Sequence, residues 1–233
     1  AHFLGTAANG VYSIANKFPN VFINFYNILN LSWTETVSLH FDDEDRDEFL
    51  TETMTSLFKL FAAACFGIVA CMPFVFPILI NEKYVAGYDQ ILILMYAMLF
   101  RVLVGLYSCI YVAQKNAKKI AYTSISAAII NITVNLILIN KIKIFAASIS
   151  TLVAFFSMFI IRYIDVNKTV HMRIRKPIII GSILIGTMLI GTYYCENKMI
   201  QLIALCITAI YAVLTNVDML KSGMKLVKSR FGK

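Results

Sequence analysis

Charge is scarce in this chain. Only 15% of its 233 residues are Asp, Glu, Lys or Arg, against about 25% in a soluble domain. No soluble catalytic core is readable in such a sequence. The three histidines, His2, His40 and His171, are far apart. There is no Ser-His-Asp grouping, no glycine-rich phosphate loop and no His-x-x-x-His, and the chain has no room for an ATP-binding domain. The five cysteines, Cys65, Cys71, Cys109, Cys195 and Cys206, form no Cys-x-x-Cys and read as small buried hydrophobes. Gly181, Gly186 and Gly191 are five apart, so they make no GxxxG seam. No basic start followed by a short apolar run and a cleavage site opens the sequence. The reading is of a non-enzyme with no cofactor.

What the chain has is apolar length. Hydrophobic residues make up 59% of it and mean hydropathy is +0.74. Seven apolar runs are predicted as spans, at 9–33, 58–80, 90–113, 120–139, 144–162, 177–194 and 199–217. Runs of about 20 residues match a ~30 Å hydrocarbon core. The fold class is therefore an all-α membrane protein with about seven transmembrane helices. Pro19, Pro73 and Pro77 lie inside spans, where they kink helices without breaking them.

The net charge of +8 follows membrane topology and does not point to nucleic acid. One set of loops holds 15 Lys and Arg residues, Arg162 counted among them, and the opposite set holds four. The positive-inside rule makes the richer side cytoplasmic, with the N-terminus outside and the C-terminus inside. The segment 34–57 carries 8 of the 13 acids. Its Asp43-Glu44-Asp45-Arg46-Asp47 imitates a calcium loop. Glu48 stands where glycine is required and Met54 where a bidentate Glu is required, so calcium is rejected. A solvated cytoplasmic loop leading into a surface helix is expected there. The chain divides into 1–57 (first span and acidic linker), 58–164 (four core spans), 165–220 (two further spans) and 221–233 (a basic tail).

The polar residues inside the spans carry the functional signal. Asn9, Asn16, Asn20, Asn24, Asn27 and Asn30 fall within about 60° of one direction at 100° per residue. Ser13 joins them and Lys17 sits beside the stripe. Such a row is either an interhelical polar zipper or the wall of a wet cavity. Arg101 lies midway along the third span, where it must be paired or hydrated. Ser124, Asn131 and Asn135 form a narrow polar face on the fourth span and read as helix packing. Substrate contact is assigned to Lys17, Asn16, Asn20, Asn24, Asn27 and Arg101.

Residues 10–19, Gly-Val-Tyr-Ser-Ile-Ala-Asn-Lys-Phe-Pro, resemble the "G-x-Y-s-x-A-x-K/R-x-P" stretch of polysaccharide flippases in the multidrug/oligosaccharidyl-lipid/polysaccharide exporter superfamily. Residues 130–139, with Asn131 and Asn135, are similar to the "N-x-x-x-N-x-x-L-I" helix of that family. The family's glycine-rich turn after the second motif is replaced here by Lys143-Ile144-Phe145-Ala146-Ala147-Ser148, without glycine. Family members carry twelve to fourteen spans in two lobes, and the first motif resembles their eighth span. The resemblance implies the second lobe of a MATE-like two-lobed transporter plus two extra helices, its N-terminal lobe missing here. It implies that an undecaprenyl-pyrophosphate-linked oligosaccharide is flipped across the bacterial plasma membrane by alternating access, for cell-surface polysaccharide biosynthesis. Lys17 matches a cationic position that would meet the pyrophosphate, and the asparagines would meet sugar hydroxyls. The expected partners are that lipid-linked glycan, membrane lipids and the missing lobe, with no nucleic acid. A drug/cation antiporter of the same superfamily is the alternative, disfavoured because Asp89 and Asp218 stand only at span ends. A glycan polymerase or ligase is disfavoured by the short outer loops, and a seven-span receptor by the missing Asp/Glu-Arg and Asn-Pro-x-x-Tyr motifs.

Overall fold

A single hydrophobic segment of these lengths can satisfy its own backbone hydrogen bonds in lipid only as a helix. The computed structural model describes residues 5–222 and Lys225, and all regular structure among them is helical. The elements are α1 (Gly5–Ala15), α2 (Lys17–Leu39), α3 (Arg46–Leu79), α4 (Tyr88–Ala113), α5 (Ala117–Ile142), α6 (Ile144–Val166), α7 (Lys176–Tyr193) and α8 (Lys198–Thr215). A short 3₁₀ segment, Glu82–Gly87, joins α3 to α4. Most of the predicted basic tail, 221–233, lies outside the described residues.

Six helices, α3 to α8, are long and apolar enough to cross a bilayer. The chain is an all-α, multi-pass membrane protein. Its outer surface bears Ile125, Ile129, Ile132, Leu136, Ile183 and Leu184, all exposed. A water-soluble protein does not leave apolar surface of that extent uncovered. The first predicted span is helical but falls short of the other six: it is two helices, and the asparagines of α2 hold down its hydropathy.

Helix α4 is the axis. Its most apolar stretch is 67% buried, against 11% for α5. Helices α2, α3 and α6 pack on α4, α5 lies outside α6, and α7 and α8 lie against α3. Backbone–side-chain bonds tie the packing together. Trp33 Nε1 donates to Leu106 O at 3.1 Å, and Tyr96 Oη donates to Gly186 O at 2.8 Å. The prolines of α3 act through what they cannot donate. Pro77 has no N–H to give the carbonyl of Pro73. That free carbonyl accepts from Lys198 Nζ of α8 at 3.1 Å, an interhelical bond.

The expected loop is short: an exposed acidic turn over 42–45 leads directly into a helix. Helix α2 runs on to Leu39, and α3 starts at Arg46 and continues unbroken into its span. Asp47 and Glu48 occupy the first turn of α3, where acids complement the helix dipole. This extension receives the basic connection 167–175. The His171 backbone N–H donates to Asp47 Oδ2 at 3.0 Å, and the Arg173 backbone N–H donates to Thr51 Oγ1 at 3.3 Å. Arg175 pairs with Glu52 at 3.1 Å. Val170 and Met172 alternate inward and are fully buried. Losing two such bonds at about 0.5–1.5 kcal/mol each should open the connection roughly tenfold more often. We therefore expect the double variant Asp47→Ala, Thr51→Val to be cut by trypsin at Lys168, Arg173 or Arg175 about ten times faster than the parent. An unchanged cleavage rate would show that these two bonds do not hold the strap, leaving buried Val170 and Met172 and the Arg175–Glu52 pair to do so.

Candidate functional site

Proline explains where the first span breaks. Pro19 cannot donate to the Ala15 carbonyl four residues back, and its ring crowds that carbonyl. The helix is interrupted one residue later, at Asn16, which divides α1 from α2. Asn16 Nδ2 donates to Tyr12 O at 2.8 Å, bracing the end of α1.

The face that α2 turns inward is aromatic. Phe22, Tyr26 and Trp33 are buried, and Phe22, Phe25 and Tyr26 surround the Phe61 ring of α3 at centroid distances of 6.0, 5.6 and 5.5 Å. Tyr26 lies against Gly105 of α4. Its hydroxyl donates to Asn30 Oδ1 at 2.6 Å.

The asparagine row divides by what it touches. Asn30 belongs to the α2–α4 seam, where it also accepts from Cys109 Sγ at 3.6 Å. Asn16 is half-buried and braces the backbone. Asn20, Asn24 and Asn27 are exposed, as is Lys17. Their side chains meet no partner among the described residues. At 100° per residue, Asn20 and Asn27 lie on the side of α2 opposite Phe25, hence away from α3.

Arg101 is also exposed. It lies one turn from Gly105 on the same stripe of α4, and its guanidinium stands 5.9 Å from the Phe155 ring of α6. Its only hydrogen-bond contact among the described residues is to Met98 Sδ in its own helix, at 4.0 Å. It thus stands on the strip of α4 between α2 and α6, on the side to which the free asparagines turn. The six assigned residues therefore divide by engagement. Lys17, Asn20, Asn24 and Asn27 meet no side-chain partner among the described residues, Arg101 has only its weak contacts to Met98 and Phe155, and Asn16 is occupied by the backbone.

The fourth-span polar face engages its neighbour. Asn131 Nδ2 reaches Thr151 Oγ1 at 3.5 Å and Asn135 Nδ2 reaches Ser150 Oγ at 3.4 Å, both on α6. That is the helix-packing role expected from the sequence.

Arg162 is the residue that sequence reasoning misplaced. Counted with the loop cations, it is in fact inside α6 and only 2% exposed. Its guanidinium donates to Val104 O at 3.1 Å on α4 and to Ser108 Oγ on the same helix. On α5 it donates to Thr123 Oγ1 at 2.9 and 3.0 Å and to Ser124 Oγ at 3.3 Å. It forms no ion pair among the described residues. Five neutral oxygens on two helices, Ile120 O at 3.5 Å among them, hold a full positive charge. A signal was present: Ala146, Ser150, Ala154, Met158, Arg162 and Val166 recur every fourth residue, and all are buried. A row that opens with small residues is a packing face, and Arg162 lies on it.

No protein family, curated protein or solved structure matches this chain. Among the described residues no cluster of three His, Cys, Asp or Glu side chains is placed to hold a metal ion.

Proposed function

We propose that this chain forms one wall of a transporter that turns a lipid-linked oligosaccharide from one leaflet of the bacterial plasma membrane to the other by alternating access. A second lobe would close the opposite side of the pathway. The N-terminus would lie outside and the C-terminus in the cytoplasm, following the distribution of basic loops. The observation that supports this reading most is the largely unengaged polar strip of Lys17, Asn20, Asn24, Asn27 and Arg101. An amide or cation in a bilayer must meet water, a ligand or another polar surface. Two cations and three amides on one strip suit a diphosphate joined to a sugar: ammonium and guanidinium groups pair with phosphate oxygens, and amides both donate to and accept from hydroxyls.

The test is export of surface glycan in a strain that depends on the protein. Lys17→Ala in the full-length protein should abolish export while its membrane level is unchanged. Lys17→Arg should retain most of it, because charge is the property used. Normal glycan export by Lys17→Ala would sink the assignment.

A further inference from the structure

We infer that the groove between the start of α5 and the end of α6 holds the phosphate of an anionic phospholipid headgroup. The groove encloses about 620 Å³, and Lys118, Lys119 and Lys168 line it. Asp165 is the only carboxylate in its wall. That carboxylate is already occupied: Lys119 Nζ lies 2.7 Å from it and Tyr111 Oη donates to it at 2.9 Å. Lys118 and Lys168 are exposed and their ammonium groups make no hydrogen bond among the described residues, Lys168 only lending its charge to Asp165 from a distance. Arg162 adds a further charge beneath the wall, bonded to Thr123 of the groove and unpaired with any acid. Four cations thus converge on one engaged carboxylate, and the excess selects an anion.

The walls say which anion. Ile161 and Ile164 of α6 and Tyr122 of α5 line the same groove and are 38%, 55% and 75% exposed. Tyr122 continues into the exposed apolar row of Ile125 and Ile129 on α5. A free phosphate has no use for that surface. A phospholipid places its phosphate among the lysines and its acyl chains along the isoleucines. Basic pockets between helix ends are suited to such headgroups.

The experiment is binding of a fluorescent phosphatidylglycerol to the protein purified in a neutral detergent. Unlabelled phosphatidylglycerol, phosphatidylcholine and inorganic phosphate serve as competitors. Each lysine near an anionic lipid contributes about fivefold in affinity, so Lys118→Gln with Lys168→Gln should weaken binding roughly 25-fold. Neither substitution removes a contact that holds the fold. Lys141→Gln with Lys143→Gln, at the opposite end of α5, should leave binding unchanged. Unlabelled phosphatidylglycerol should displace the probe, and phosphatidylcholine should not. Equal displacement by phosphatidylcholine, or an equal loss in the Lys141, Lys143 pair, would overturn the proposal. Displacement by millimolar inorganic phosphate as effectively as by the lipid would make this a free-anion site and overturn it as well.

Discussion

Replacing Arg162 with alanine is expected to destabilise the folded bundle by about 3 kcal/mol, from roughly 0.6 kcal/mol for each of five interhelical contacts in a membrane. In water-soluble proteins hydrogen bonds to charged groups are worth about 1.5–3 kcal/mol each. The membrane figure is the one to use, because the helices are compared with an inserted but unpacked state that finds other partners. An opposing effect favours alanine: an arginine at the centre of a span costs about 2.5–3.5 kcal/mol to insert. Arg162 is not at the centre. It precedes the end of α6 at Val166 by four residues, so in the unpacked state its side chain can reach the interface. Packing loss therefore wins. The acceptors left behind soften it only partly: Ser108, Thr123 and Ser124 already donate to their own helix carbonyls at 2.7, 2.9 and 2.8 Å. What they lose is the bridge between helices. Lysine should rescue little, because an ammonium cannot fork to α4 and α5 together. The midpoint of SDS-induced unfolding reads the difference. Arg162→Ala within ~1 kcal/mol of the parent, a margin below the expected loss, would refute a bridging role.

Arg162 also marks where the sequence stopped being legible. Six membrane helices could be read from length and hydropathy, because those two properties are local. The division at Asn16 was half legible: Pro19 announced a kink, and its position followed only from the chain's path. The acidic linker was legible in part: charge marked the exposed turn at 42–45, but acids in a first helical turn hid where α3 begins. Burial of a single cation depends on which neighbours supply oxygens, and no window of sequence contains those neighbours. The asparagine row shows the same limit within one helix. Periodicity put six side chains on one side, but only the positions of α3 and α4 separate Asn30, which bonds in the seam, from Asn20, Asn24 and Asn27, which do not.

The seam between α2 and α4 carries the second large expected effect. A Cβ added at Gly105 would land on the Tyr26 hydroxyl, with the ring Cζ at 2.6 Å. Tyr26 has little freedom to yield. It is 6% exposed, packed edge-on to Phe61 at 5.5 Å and bonded to Asn30 at 2.6 Å. Small residues at such crossings are what let membrane helices approach. Gly105→Ala should therefore cost about 1–3 kcal/mol by overpacking, and Gly105→Leu more, by prising α2 from α4. A compensating change identifies the cause. Tyr26→Phe should rescue only in part, because the hydroxyl is gone but Cζ remains in place. Tyr26→Leu should recover part of the loss, giving a coupling energy of about 0.5–3 kcal/mol in a double-mutant cycle. Gly67→Ala is the control, since a Cβ there meets nothing within 4 Å. If Gly105→Ala behaved like Gly67→Ala, α2 would be free to shift on α4. The face bearing Lys17, Asn20, Asn24 and Asn27 would then not be held in register with Arg101, and the polar strip would lose the fixed geometry that binding a substrate requires.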